Sequence, residues 1–154
     1  MALQTGDAAP DFTLYTHDTK PWTLSEHRDG PVVLLFFPGA FTSVCTTELN
    51  DVNNDFAPYE SAGATVVGIS TDSPFALAEF RKANGFSFPL LSDHDGAVSA
   101  SYGAKYDHDF TPMKFDRIAK RAAFVIAADG TIAHAEVLEN AGMMPDFEAV
   151  RAAL

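Results

Sequence analysis

Cysteine is nearly absent from this chain. Cys45 is the one cysteine in 154 residues, and a single thiol cannot close an internal disulfide, complete a four-cysteine zinc site or run a C-x-x-C exchange cycle. Lysine is scarce as well. Five lysines stand against 14 aspartates and 7 glutamates, and the formal net charge is -11. That charge repels phosphate backbones and anionic lipid, so neither a nucleic-acid partner nor a membrane surface is expected. Long apolar runs are also missing: Val32 to Phe37, for one, is too short by a factor of about three to span a bilayer. The opening MALQTGDAAPDF lacks a basic stretch followed by an apolar run, so it does not read as a secretory signal. A cytoplasmic location is expected, because a lone thiol fits a reducing compartment.

Cofactor and metal signals are equally thin. No Gly-rich loop followed by Lys and no dinucleotide fingerprint occurs, and no cofactor is expected. His17, His27, His94 and His108 form no ligand spacing, while His134 and Glu136 alternate onto one strand face as a surface pair. The segment SDHDG, residues 92–96, has the acidic alternation of a calcium loop but not its third acid or closing Glu.

What is present is the composition of a folded domain. Hydrophobic residues make up 47% and charged residues 20%, and a chain of this size buries roughly 70% of its unfolded surface around one core. No repeat, low-complexity tract or linker divides it, so residues 1–154 are expected to form one domain. The acid excess has two readings that composition leaves open: a surface kept hydrated at high salt, or an ordinary acidic protein.

Periodicity outlines the elements. Phe12 to Tyr15 and Trp22 to Leu24 flank the turn-rich HDTKP and read as an N-terminal hairpin. VVLLFF, bounded by Gly30-Pro31 and Pro38-Gly39, has the pattern of a central strand buried on both faces. From Thr42, Leu49, Val52, Phe56 and Tyr59 recur at helical spacing, predicting one amphipathic helix that ends between Pro58 and Gly63. A buried strand at 64–70, a helix at 75–83, a short strand at 88–91 and a short helix at 97–102 follow. Residues 104–120 are irregular, and a loop of that length is usually functional or an insertion. Ala128-Asp129-Gly130 joins strands at 122–127 and 131–138, and a helix over 145–153 closes the chain. The order implies an α/β fold with a central mixed sheet and helices on both faces.

Cys45 lies where a buried strand turns into a helix. With Thr42 as N-cap, the thiol sits in the first turn, among unpaired N–H groups at the positive end of the helix dipole. The dipole contributes only ~0.3–1 kcal/mol at an exposed site, so a reactive thiolate there needs a cationic side chain too. Free cysteines are also commonly small buried hydrophobes, and position alone does not separate these readings.

The surrounding residues do. FFPGAFTSVCTTEL places Pro38, Thr42 and Cys45 in the spacing P-x-x-x-T-x-x-C directly after the apolar strand. This resembles the peroxiredoxin family, which carries the motif at its peroxide-reducing cysteine. GDAAPDFTL, VVGISTDSP, FPLLSD with AVSASYG, and RAAFVIAADGTI are similar to further blocks of the family in the same order. The single cysteine and the Glu of CTTE look most like the one-cysteine alkyl hydroperoxide reductase E-type branch. Neither the extra C-terminal domain of longer one-cysteine members nor a C-terminal Tyr-Phe segment is seen.

The resemblance implies a thioredoxin-like fold and a thiol-dependent peroxidase acting on hydrogen peroxide, alkyl hydroperoxides and peroxynitrite. Cys45 would attack the peroxide and become a sulfenic acid. Thr42 would orient the peroxide, a role compatible with N-capping, and Pro38 would shield the thiolate. Arg121 would supply the cation, with Arg117 and Lys120 as neighbouring alternatives, and Glu48 would position that arginine. Phe37, Phe41 and Phe75 are candidates for an apolar mouth or for core packing. With no resolving cysteine, electrons must come from thioredoxin, a glutaredoxin-like protein or a low-molecular-weight thiol. A homodimer is implied. Two rivals stand beside this reading: a non-catalytic redox sensor that relays oxidation to a partner, and a bacterioferritin-comigratory-type member that lost its resolving cysteine. Between Tyr102 and Arg121 the chain is several residues longer than the branch it resembles, as if to cover the site or extend a dimer contact.

Overall fold

A computed structural model describes residues 3–108, 110 and 112–154; within the 104–120 segment, Asp109 and Thr111 lie outside the described residues. Among the described residues, seven strands form one mixed sheet: β1 Thr13–Thr16, β2 Pro21–Thr23, β3 Val32–Phe36, β4 Thr65–Ser70, β5 Leu90–Ser92, β6 Arg121–Ile126 and β7 Ile132–Leu138. Their spatial order is β2-β1-β5-β4-β3-β6-β7. β3, β4 and β5 run parallel, whereas β1, β2, β6 and β7 each pair antiparallel with their neighbours. The expected N-terminal hairpin is β1–β2.

The helices are α1 Ser43–Asn54, α2 Ala57–Ser61, α3 Pro74–Asn84, α4 Ala97–Ser101 and α5 Phe147–Ala152. β3 is buried along its whole length, and its alternate side chains feed two cores, as the period of a strand requires. Val33, Leu35 and Phe37 pack with Leu49 of α1, Leu77 and Phe80 of α3 and Val150 of α5. Val32, Leu34 and Phe36 face the opposite core, with Phe12, Trp22, Tyr102 and Phe124. Helices thus flank the sheet unevenly. Four cover one face, while on the other Val98 of α4 packs beside the N-terminal segment and the hairpin.

One expected helix is two. α1 stops at Asn54 and α2 restarts at Ala57, because Pro58 has no N–H to bond back and its ring meets the carbonyl of residue 54, four positions earlier. The polar residues of α1 also do more than face solvent. Asn50 donates to Asn84 Oδ1 at 3.0 Å, and Asn53 accepts from the Ser87 N–H at 2.9 Å, tying α1 to the end of α3. α3 is capped at both ends. The Ser73 hydroxyl accepts from the Ala76 N–H, and Gly85 takes the left-handed conformation, φ 68°, that ends the helix.

The acidic alternation at 92–96 has a structural use. Buried Asp93 accepts the N–H groups of Val98 and Ser99 and the Ser99 hydroxyl, holding the start of α4. The 104–120 segment is more regular than its sequence. Lys120 N–H bonds Ala104 O, Lys105 bridges Ala119, and Tyr106 N–H bonds Ile118 O, so the segment leaves and re-enters the sheet as a narrow arm. Ala104, Tyr106 and Ala119 root it in the interior.

Candidate active site

The sheet topology explains why two residues 76 positions apart meet. β3 and β6 pair antiparallel with Phe36 opposite Ala122, so the start of β6 lies beside the end of β3, where Pro38 to Thr42 lead into α1. Ala123 and Val125 face the core that α1 covers. Arg121 has the same parity and projects to the same side. It is 1% exposed, and Cys45 is also 1% exposed.

The Arg121 guanidinium is held from three directions. Nη2 donates to Cys45 Sγ at 3.3 Å, and Nη1 donates to Glu48 Oε1 at 2.6 Å. Nη2 and Nε also donate to the Ala141 carbonyl, at 2.9 and 3.3 Å. The planar fork permits this division, one edge toward sulfur and others toward fixed oxygen acceptors. Glu48 is fully buried one helical turn after Cys45, and its Oε2 has no hydrogen-bond partner. Burial pushes the Glu48 carboxyl up to about 7, while the charge and hydrogen bond of Arg121 pull it down. The Arg121 guanidinium is shifted upward: burial works against its charge, and Glu48 and Cys45 outweigh it.

Thr42 occupies the N-cap position of α1, but its hydroxyl makes no capping bond. Instead Oγ1 donates to the Gly39 carbonyl at 2.7 Å, which commits its proton and leaves lone pairs as acceptors. The first amide to bond back into the helix is that of Thr46, to Thr42 O at 2.9 Å. The amides of Ser43, Val44 and Cys45 precede it, at the end where helices leave N–H groups without intrahelical acceptors. A pocket of about 220 Å³ opens over this turn, lined by Pro38, Thr42, Cys45, Arg121, Phe110 and Gly142 among others. Its base is therefore a sulfur, a guanidinium and a helix N-terminus, an arrangement suited to an anion and to charge developing on a bound oxygen.

Five residues singled out by sequence, Pro38, Thr42, Cys45, Glu48 and Arg121, come together here. The two alternatives to Arg121 do not: Arg117 is exposed and pairs with Asp116 at 3.6 Å, and Lys120 pairs with Glu139. None of the three aromatics considered for the mouth lines the pocket. Phe37 is fully buried against Phe80, and Phe41 and Phe75 are exposed at 59% and 73%. Phe110 takes that place, carried in by the 104–120 arm. Ala141 and Gly142, from the loop after β7, have no sequence signature, since the Ala141 contribution is a backbone carbonyl. Among the described residues no group of three or more His, Cys, Asp or Glu is placed to hold a metal ion, and no helix is long and apolar enough to cross a membrane.

A mixed sheet with a thiol on the first turn after its central strand, held against a buried arginine, defines a thiol peroxidase of thioredoxin-like fold. The AhpC/TSA family profile matches residues 5–135, and the chain belongs to that family, the peroxiredoxins. A putative peroxiredoxin of Mycobacterium tuberculosis is 38% identical over 134 residues, covering 87% of this chain and 85% of the relative. Alkyl hydroperoxide reductase E of Mycobacterium bovis is 36% identical over 138 residues, covering 88% and 86%. The crystal structure of peroxidoxin BcpB from Mycobacterium tuberculosis superimposes with a TM-score of 0.84 at 34% identity, over 98% of this chain and 94% of that one. The chain is accordingly a peroxidase, an oxidoreductase that uses a thiol to reduce peroxide.

Proposed function

We propose that Cys45 is the peroxide-reducing nucleophile and works by a one-cysteine cycle on hydrogen peroxide and alkyl hydroperoxides. The Cys45 thiolate attacks the terminal peroxide oxygen. The S–O bond forms as the O–O bond breaks, leaving a sulfenic acid and an alkoxide or hydroxide that takes a proton to leave as alcohol or water. Arg121 stabilises the sulfur anion before attack and the leaving oxygen during it. Thr42, its own proton given to Gly39, accepts the hydrogen bond of the peroxide O–H and so presents the terminal oxygen to sulfur. Pro38 brings no N–H to the pocket wall, and Glu48 fixes the position of Arg121.

No second cysteine occurs in the sequence, so an external thiol completes the cycle. One thiol condenses with the sulfenic acid, releasing water, and a second displaces Cys45 as the free thiol. Thioredoxin, a glutaredoxin-like protein and a small thiol all fit that chemistry. A cytoplasmic homodimer built from a single domain completes the reading.

The observation that carries it is the 3.3 Å contact between Arg121 Nη2 and Cys45 Sγ at the base of an open pocket. Stopped-flow oxidation by hydrogen peroxide tests it. The wild-type protein is expected to react orders of magnitude faster than free cysteine, and Arg121→Gln to lose about 10²–10³-fold, the cost of removing one such donor. A wild-type rate equal to that of free cysteine, or no loss in Arg121→Gln, would overturn it.

A further inference from the structure

Arg121 owes its aim to a carbonyl, and that carbonyl stands on a loop with little support of its own. Nη2 carries two hydrogens at a fixed angle in the planar guanidinium. It donates to Ala141 O at 2.9 Å and to Cys45 Sγ at 3.3 Å, so the place of the carbonyl sets the direction of the donor that meets sulfur. Nε, 3.3 Å from the same oxygen, fixes the tilt of the plane. Yet none of residues 139–144 is buried. Asn140 shapes the turn, its Oδ1 accepting from the Gly142 N–H at 2.9 Å and its carbonyl from the Met143 N–H at 3.0 Å. Those bonds lie within the loop and do not fasten it to the body of the protein.

The fastening comes from the 104–120 arm. Tyr106, 4% exposed, donates its hydroxyl to the Glu139 carbonyl at 3.1 Å, two residues before Ala141. Lys120 pairs with the Glu139 carboxylate, but that end is 73% exposed, and such pairs are worth little. Tyr106 is itself held firmly. Its N–H bonds Ile118 O at 3.1 Å, its carbonyl accepts from Lys105 Nζ at 3.1 Å, and its ring lies 5.0 Å from that of Phe110, a wall of the thiol pocket. Burial first, and then the charge of Glu139, hold the Tyr106 hydroxyl above its ordinary range, with Arg121 pulling the other way. The phenol therefore keeps its proton and remains a donor.

We infer that Tyr106 is a positioning residue for Arg121: by fixing the Glu139 carbonyl it fixes the exit from β7 that carries Ala141, and through Ala141 the guanidinium donor that faces Cys45. The inference rests on the peroxidase reading for the chemistry it serves. Among the described residues Tyr106 is not part of the pocket lining, and its proton is committed to Glu139, so it acts through Arg121 rather than on the peroxide.

Tyr106→Phe removes the hydroxyl and keeps the ring against Phe110. Two measurements follow the aim of Arg121: the pH profile of Cys45 alkylation by iodoacetamide, and the stopped-flow rate of Cys45 oxidation by hydrogen peroxide. The alkylation profile is expected to move to higher pH, and oxidation at pH 7 to slow by roughly 3- to 10-fold, the span of one net hydrogen bond. In an Arg121→Gln background there is no guanidinium to aim. Adding Tyr106→Phe there is expected to change either rate by less than about 2-fold, the scatter of independent sites.

An alkylation profile that matches the wild type would overturn the inference even where oxidation is slower, because a loss confined to peroxide reports the shape of the pocket. An equal loss with and without Arg121 would overturn it as well. Where Arg121→Gln does not fold, the profile of the single variant decides alone. A wild-type reaction with hydrogen peroxide no faster than free cysteine is a different failure: it removes the peroxidase reading and leaves the alkylation profile to judge Tyr106.

Discussion

At the scale of single residues the site is a contest for one guanidinium. Cys45 Sγ, Glu48 Oε1 and the Ala141 carbonyl share the donors of Arg121, and only the first two carry charge when ionised. Glu48 is costly to ionise because it is buried and its Oε2 is unpartnered. Its carboxyl sits at about 7 in the fold against 4.5 for the free group. Below 4.5 both folded and unfolded chains hold the proton, and burial carries no penalty. Between 4.5 and 7 the unfolded chain releases it first, so stability falls as pH rises, and above 7 the full penalty, on the order of 3 kcal/mol, stays constant. Glu48→Gln keeps an acceptor for Arg121 and cannot ionise. The melting temperature of that variant relative to wild type should therefore rise between pH 5 and pH 8, read by thermal denaturation. An unchanged difference would show that Glu48 titrates alike in both states. The same substitution leaves the Arg121 charge undivided for sulfur, so alkylation of Cys45 at pH 7 should be faster in the variant.

Among the elements, close backbone approaches and breaks locate the site as much as hydrophobic pattern does. Gly30 precedes β3, and a Cβ there would stand 2.4 Å from the Gly63 carbonyl oxygen just before β4. The partner is backbone and cannot swing aside, and the same crossing starts the β3–β4 ladder through the Thr65 N–H to Pro31 O bond. Gly30→Ala should cost about 1–3 kcal/mol, or roughly 2–10 °C in melting temperature for a chain of this size. A thermal melt within 1 °C of wild type would show that the crossing relaxes. The split of α1 from α2 follows from Pro58 alone and was open to inspection in the sequence. Apolar spacing carried across it because Phe56, between the two helices, and Tyr59, in the second, still pack against the same core. The 104–120 arm is the opposite case. Its charges and Pro112 hide any period, and it is ordered by backbone bonds between Ala104, Tyr106, Ile118 and Lys120, which local pattern does not encode.

At the scale of the whole molecule, 21 acids against 10 bases form a field that opposes compaction. Salt screens it, with a Debye length of about 10 Å at 0.1 M and 3 Å at 1 M. If the acid excess is a surface kept for high salt, the melting temperature should climb from 0.1 M to 3 M salt, and a flat or falling response would reject that adaptation. The sequence by itself determined the chemistry available. One thiol excludes a dithiol cycle within the chain, P-x-x-x-T-x-x-C sets it on a helix N-terminus, and apolar runs between turn signals mark out the strands, because these are local properties of spacing and residue type. Tertiary structure decided what stands around that thiol. Arg121 prevailed over Arg117 and Lys120 through the register and parity of β6 against β3, and Phe110 displaced Phe37, Phe41 and Phe75 because a long arm folds back over the pocket. The Thr42 hydroxyl turned to Gly39 rather than to the helix, and a carbonyl of no distinctive residue, Ala141, completed the hold on Arg121. Each of these depends on which backbone atoms meet across a sheet or loop, and spacing along the chain carries no record of such meetings.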